Sequence, residues 1–188
     1  MLRSPKDGRW YWFGESKKLD ESGDPHKYET QGVNCYSSAT IAGPWKNEGQ
    51  VLKQTDIVVP GAHPPWIVQR PKVIFNAHSN LFVMYFHLDQ PKHKSSATAV
   101  ASPELGGYQF RRVGTATAAN AAGPYTFRAG FQPDGIPSLD MNLFRDPLDG
   151  QAYLIRDCAH QFVGISRLTP DYLSKVAMLS RFACCPCR

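Results

Sequence analysis

Apolar, strand-like runs recur along this chain at a constant spacing. Three segments align without gaps: "DGRWYWFGE" at 7–15, "HSNLFVMYF" at 78–86 and "DGQAYLIRD" at 149–157. Their starts differ by 78 − 7 = 71 and 149 − 78 = 71 residues. Each begins with a polar turn and continues into residues typical of β-strands. Tyr11, Phe82 and Tyr153 share one position of the alignment, and we predict inner strands buried on both faces.

A second pattern lies between these runs. "GVNCYSSATIAGPWKNEG" and "RVGTATAANAAGPYTFRAG" each join a strand of small residues to an Ala-Gly-Pro-aromatic turn, and "FVGISRLTPDYL" is a shorter third version. Units of this size, made of short strands, are typical of β-propeller blades. At 71 residues a unit, 188 residues give about 2.6 units. We therefore predict an all-β chain with about three blades of a partial propeller, and one short helix in "TPDYLSKVAMLSRF".

Composition and charge exclude several classes of protein. Hydrophobic residues make up 42% and charged residues 20%, which argues against a disordered chain. No apolar run approaches the roughly 18 residues of a membrane span, and "MLRSPKDGRW" has no apolar signal-peptide core. The net charge is +5, but the Lys and Arg residues are scattered without a stripe. We therefore predict neither a nucleic-acid partner nor a membrane partner.

The cysteines and histidines do not form a metal-binding pattern. Cys35 and Cys158 are single, whereas Cys184, Cys185 and Cys187 crowd the sequence "CCPCR" without a matching fourth ligand. We predict a domain over 1–175 and a Cys-rich tail over 176–188 that is not part of the fold. No cofactor and no tight metal site are predicted, and a structural calcium at a propeller axis stays open. The histidines without ligand spacing are His26, His63, His78, His93 and His160.

Several motifs, in this order, resemble glycoside hydrolase family 43, with the exo-β-1,3-galactanase (galactan 1,3-β-galactosidase) branch as the best match. They are "WYWFGES", "GVNCYSS", "WKNEG", "QRPKVIFN", "YQFRRVGTATAANAAGPYTF", "SLDMNLF" and "DGQAYLI". The resemblance covers nearly all of residues 8–173. It implies a five-bladed β-propeller with a sugar site at one end of the axis, an inverting mechanism, a galactan-like carbohydrate partner and a secreted location. Residues 1–175 would then be an incomplete propeller of this family.

The resemblance assigns the third carboxylate of such a site to Asp140, in "PSLDMNLF". Inverting glycosidases use a general acid and a base about 6.5–9.5 Å apart. A third carboxylate would raise the pKa of the acid and bind a sugar hydroxyl. The alternative is an Asp that caps a loop before a strand. Leu139 stands where the family has an arginine, which predicts that Asp140 lacks a charge partner.

The resemblance also implies three substrate-binding residues. Glu15 in "WFGES" and Tyr108 in "YQFRRVGTA" would contact galactose, the alternatives being an exposed strand-end Glu and a core aromatic. Gln69 in "VQRPKVIFN" replaces a family Glu. An amide still hydrogen-bonds but holds no charge, so reduced turnover is expected. His87 and Asp89, in "FHLD", are predicted to support a loop rather than to act in catalysis.

Other departures from the family leave three functions open. The family's general acid lies in a Glu-Ala-Pro-type motif that these 188 residues do not contain. The stretch "RDCAHQ" at 156–161 also differs, which makes substrate contacts there doubtful. The first hypothesis is a galactan-type exo-glycosidase with impaired activity. The second is a catalytically inactive sugar-binding propeller. The third, a protein-interaction propeller, lacks the expected Trp-Asp blade motif.

Overall fold

Three antiparallel four-stranded sheets make up a computed structural model that describes residues 1–19, 28–90 and 110–183. Sheet 1 contains β1 (Leu2–Arg3), β2 (Trp10–Leu19), β3 (Tyr28–Ser38) and β4 (Lys46–Lys53). Sheet 2 contains β5 (Ile67–Asn76), β6 (Leu81–Asp89), β7 (Arg112–Ala118) and β8 (Thr126–Phe131). Sheet 3 contains β9 (Met141–Arg145), β10 (Ala152–Cys158), β11 (Phe162–Leu168) and β12 (Lys175–Ala183). The predicted all-β class is confirmed.

The repeat unit read from the sequence corresponds to one sheet. The strands β2, β6 and β10 start at residues 10, 81 and 152, again 71 residues apart, and each is the second strand of its sheet. The Ala-Gly-Pro turns lie between β3 and β4 and between β7 and β8. Of these three strands, however, only β6 is buried on both faces. Exposed or half-buried residues alternate with buried ones in β10 and in the first half of β2, because within the described residues sheets 1 and 3 each pack against sheet 2 alone.

Two apolar clusters join the sheets. Between sheets 1 and 2, the rings of Tyr11 and Phe13 lie in one cluster with Phe82, Met84 and Phe86. Between sheets 2 and 3, a second cluster contains Ile74, Val83, Tyr85, Leu154 and Leu168. Successive residues of β6 therefore point into different clusters, as the two-residue period of a strand requires. Sheet 2 is the central layer of the described fold.

The ungapped alignment of the three repeated segments is shifted by one residue relative to the direction in which their side chains point. Tyr11 and Phe82 were aligned as equivalent, yet both lie in the cluster between sheets 1 and 2, so they face each other. The β6 residue that points away from sheet 1 is Val83. A one-residue slip turns a strand's side chains to the opposite face. The constant spacing thus identified the strands correctly but not the face that each residue occupies.

The C-terminal strand corrects two predictions. Residues 175–183 form β12 and pair with β11 from Leu168↔Lys175 to Phe162↔Ala183. The segment is therefore neither the predicted short helix nor, over 176–183, a tail outside the fold. An unpaired β11 would expose a row of backbone donors and acceptors, which β12 satisfies. Cys184, Cys185 and Cys187 lie outside the described residues.

One finding bears on the membrane prediction. In the part of the chain that the structure describes, no helix has the length and apolarity needed to cross a membrane.

Candidate functional site

The start of β5 carries a β-bulge in the stretch that replaces a family Glu with Gln69. Gln69 pairs with His87 of β6, and the register then shifts before Lys72. Within the bulge, Arg70 has a φ of 55°, a left-handed conformation that is uncommon for residues other than glycine. Bulges redirect side chains and are frequent beside functional sites. The bulge turns the backbone N–H and the side chain of Arg70 toward two neighbouring sheets.

The residues Glu15, Gln69, Arg70 and Asp140 form what we call the rim cluster. The backbone N–H of Arg70 donates to Oε1 of Glu15 at 3.1 Å, and its Nε lies 2.9 Å from Oδ1 of Asp140. Lys17 Nζ lies 2.8 Å from the other oxygen of Glu15. Each sheet supplies one part, because Glu15 is in β2, Arg70 in β5 and Asp140 just before β9. The side chains of Arg70 and Asp140 are 56% and 63% exposed, so a ligand can reach them.

The charge partner of Asp140 comes from a different sheet than the family pattern would suggest. Leu139 is buried, and its N–H donates to the carbonyl of Asp157 at 3.1 Å. The N–H of Asp157 in turn donates to the carbonyl of Asp140 at 2.8 Å. These two backbone hydrogen bonds hold Asp140 in place directly before β9 of sheet 3. The prediction that Asp140 lacks a charge partner is wrong, since Arg70 takes that place.

Arg156 anchors the segment that leads into Asp140. Its side chain is fully buried, with Nη2 2.5 Å from Oδ2 of Asp134 and 3.0 Å from the carbonyl of Pro133. Nη1 lies 3.4 Å from Oγ of Ser138, and Nζ of Lys175 lies 2.7 Å from Oδ1 of Asp134. Burial acts to raise the pKa of Asp134, but the bonds and charges of Lys175 and Arg156 outweigh it and lower that pKa. Arg156, which lies in the stretch that departs from the family, thus supports the segment that leads into Asp140.

His87 and Asp89 lie at the end of β6, the strand that pairs with Gln69, and they fix the start of the segment at Phe110 and Arg111. The Asp89 carboxylate is fully buried, lies 3.1 Å from Nε2 of His87, and accepts backbone hydrogen bonds from Phe110 at 2.7 Å and Arg111 at 2.9 Å. Burial acts to raise the pKa of Asp89, but these hydrogen bonds outweigh it and the pKa is lowered. This is the loop-supporting arrangement that the sequence predicted. Tyr108, the fourth predicted site residue, lies outside the described residues.

A cavity of about 180 Å³ adjoins the rim cluster. Its lining continues from the rim residues along β5 and β9 and includes Trp12, whose half-exposed ring packs against Tyr36 and Trp45 on the face of sheet 1 opposite to Phe13. The lining residues are Met1, Trp12, Phe13, Pro71, Lys72, Val73, Asn142 and Leu143. The acceptors and donors of the rim cluster suit a ligand with many hydroxyls. Sequence reasoning missed the part played by Arg70, although this residue lies in a motif that it quoted.

No metal site is apparent in the described ranges. They contain no group of three or more His, Cys, Asp or Glu residues that could hold an ion.

Comparison with known proteins places this site in context. No protein-family model matches the chain, and no curated protein does. Solved structures do. An exo-β-1,3-galactanase from Phanerochaete chrysosporium with galactose has a TM-score of 0.72 and 30% identity, over 97% of this chain and 37% of that one. An exo-β-1,3-galactanase from Clostridium thermocellum has a TM-score of 0.67 and 25% identity, over 92% and 35%.

A third neighbour carries the family designation. A family 43 β-1,3-galactosidase with galactodeoxynojirimycin has a TM-score of 0.68 and 27% identity, over 90% of this chain and 57% of that one. This chain thus spans between about a third and just over half of the length of these three neighbours. Over the part that it spans, the resemblance predicted from the sequence is confirmed: the chain is similar to the exo-β-1,3-galactanases of glycoside hydrolase family 43.

Proposed function

We propose that this chain is a galactan-type glycoside hydrolase unit whose three sheets are blades of a five-bladed β-propeller. Its rim cluster and the adjoining cavity would bind a terminal β-linked galactose. Three four-stranded sheets, each about 71 residues after the last, support the blade interpretation. Neighbours bound to galactose and β-1,3-galactotriose support the sugar.

The observation that carries the proposal is the double contact of Arg70 with Glu15 and Asp140. The Arg70 backbone N–H beside Glu15 and its guanidinium beside Asp140 give alternating donors and acceptors, which is the pattern that adjacent sugar hydroxyls require. Glu15 and Asp140 would accept hydrogen bonds from hydroxyls, while Arg70 donates to their oxygens.

The proposed role of Asp140 in hydrolysis is to orient the sugar and to raise the pKa of a general acid. That role needs an acid, and the printed sequence contains no Glu-Ala-Pro motif. Gln69 supplies an amide where a carboxylate would add charge. We therefore propose that this chain by itself binds galactan ends and turns them over slowly, if a carboxylate outside the rim cluster serves as acid. A catalytically inactive sugar-binding propeller is the alternative, and Gln69 favours it.

Calorimetric titration with β-1,3-galactobiose tests the proposed site. Asp140→Asn and Glu15→Gln should each weaken binding about tenfold or more, because each removes a charge-assisted hydrogen bond worth roughly 1.5–3 kcal/mol. Asp56→Asn, an exposed carboxylate in the turn after β4 and outside the rim cluster, is the matched control and should bind as the wild type does. Equal affinity in all four proteins would refute the site.

Galactose release from β-1,3-galactan separates the two functions at the same site. Steady release of galactose by the wild type, lost in the Asp140→Asn variant, supports a hydrolase. Binding without release supports the inactive alternative. Gln69→Glu restores a carboxylate beside Arg70, so it should tighten binding in either case.

A further inference from the structure

Aromatic rings cover part of the outer face of sheet 1, the face that points away from sheet 2. Trp12 pairs with Tyr36 across β2 and β3, whereas the next residue, Phe13, packs between sheets 1 and 2. Because side chains alternate along a strand, Trp12 and Tyr36 point outward together. The Trp12 ring is 50% exposed and lies 5.4 Å from the Tyr36 ring and 6.4 Å from the Trp45 ring. We call these three rings the aromatic platform.

Neutral amides share this face with the aromatic platform. Asn34 pairs with Gln50 of β4, and Asn47 pairs with Tyr36. Asn34 also lies opposite Gly14, and nothing is within 4 Å of the position that a Cβ on Gly14 would take, so this part of the face is open. No Leu, Ile or Val occupies this face at the positions of β2–β4 that the structure describes. The surface therefore combines aromatic rings with hydrogen-bonding amides.

The outer face of sheet 3 has a different composition. Ile155 pairs there with Ile165, and Val163 pairs with Phe182, whereas the neighbouring Leu154 packs between sheets 2 and 3. Aliphatic groups have no donors or acceptors, so this face suits another packed protein surface. Rings beside amides instead match a pyranose, which has an apolar C–H face and hydroxyls around its edge. Of the two outer faces, that of sheet 1 is the one that suits a sugar.

We propose that the aromatic platform binds a β-linked galactan chain, with the C–H face of one galactose on Trp12 and its hydroxyls near Asn34 and Asn47. The axial hydroxyl at C4 of galactose leaves the hydrogens of C3, C4 and C5 together on one face, which makes that face apolar. Trp12 also lines the cavity that adjoins the rim cluster, so a chain held on the platform lies beside the proposed galactose site. The choice of galactan rests on the proposed function, but binding to the platform does not need the rim cluster, since Glu15 contacts Arg70 on the sheet 2 side.

Calorimetric titration of the Asp140→Asn chain with β-1,3-galactotriose tests the platform while binding at the rim cluster is weakened. Trp12→Ala and Tyr36→Ala, added to this background, should each weaken the remaining binding about tenfold or more, because each removes apolar surface that the sugar covers. Trp12→Phe, which keeps a ring, should fall between. Phe144→Ala is the matched control and should change nothing, since it removes a 49% exposed ring that stacks on Tyr153 on the outer face of sheet 3.

NMR of the indole N–H groups reports where the sugar binds. The signals of Trp12 and Trp45 should shift during the titration. The signal of Trp66 should not, because its side chain is buried and its Nε1 donates to the carbonyl of Ile57 at 3.0 Å. Unshifted Trp12 and Trp45 signals, or equal affinity in the Trp12→Ala variant, would overturn the platform as a sugar site.

Three further outcomes separate the alternatives. A dimer that sedimentation detects and Trp12→Ala dissociates would show that a second copy covers this face, which would overturn the proposal. Cellotriose, whose equatorial hydroxyls leave no such apolar face, should bind more weakly, and equal binding would overturn the choice of galactan. Shifts of the Trp12 signal in a chain whose total affinity is unchanged by Asp140→Asn and Glu15→Gln would support the platform and refute only the rim cluster.

Discussion

Asp134→Ala should lower the free energy of unfolding by about 3 kcal/mol or more. The Asp134 carboxylate contacts both the fully buried guanidinium of Arg156 and the ammonium of Lys175. Removing it leaves the Arg156 cation in the interior without its anionic partner, and loss of one partner of a buried ion pair typically costs 3–5 kcal/mol. The same cluster holds Pro133 and Ser138, which lead to Asp140, so the variant should also disorder the rim cluster.

Urea unfolding of Asp134→Ala, with Glu29→Gln as an exposed-carboxylate control, measures this effect. Because the pKa of Asp134 is lowered in the folded state, its contribution is present above the unfolded pKa of about 3.9 and is lost as the pH falls through the folded value. The difference between wild type and variant should therefore shrink below about pH 4. A difference under about 1 kcal/mol at pH 7 would show that the cluster contributes little.

The second large effect is expected for Gly32→Ala. Gly32 lies in β3 opposite Ser16, at a bulge, with a φ of 141°. A Cβ on this residue would lie 2.0 Å from the carbonyl oxygen of Leu52, a backbone atom that cannot rotate away. Left-handed backbone strain and this clash add together, so we expect a loss of at least about 3 kcal/mol, or no soluble folded protein.

Gly14→Ala is the matched control for this prediction. Gly14 is in the adjacent strand β2, has no φ in the left-handed region, and has nothing within 4 Å of the position that a Cβ would take. Thermal unfolding should show Gly14→Ala close to wild type. A Gly32→Ala protein that melts at the same temperature as Gly14→Ala would show that β3 and β4 can separate at Leu52 without cost.

The strands and the components of the site could be predicted from the sequence. Turn residues followed by β-branched and aromatic runs report local preference, and they placed β2, β6 and β10 correctly. The structure also brings Glu15 and Asp140, both predicted site residues, into contact with Arg70, the residue that follows Gln69. Sequence motifs could identify Glu15 and Asp140 because each of these residues lies in or next to a recognisable strand.

Features that depend on long-range geometry could not be predicted. The role of Arg70 requires a bulge and a positive φ, neither of which composition indicates. The pairing of β12 was missed because "TPDYLSKVAMLSRF" satisfies a helical period as well as a strand, and only the open edge of β11 decides between them. The burial of Arg156 likewise depends on Asp134 and Lys175, which are distant in sequence. In each case the deciding contact joins separate elements.

The proposal that the rim cluster binds galactose can be tested with a crystal structure of this chain in complex with β-1,3-galactotriose. The terminal galactose should lie at the rim cluster, with hydroxyls about 3 Å from the Glu15 and Asp140 carboxylates and from Arg70. A galactotriose bound elsewhere, with the Arg70 contacts to Glu15 and Asp140 unchanged and no sugar beside them, would contradict it.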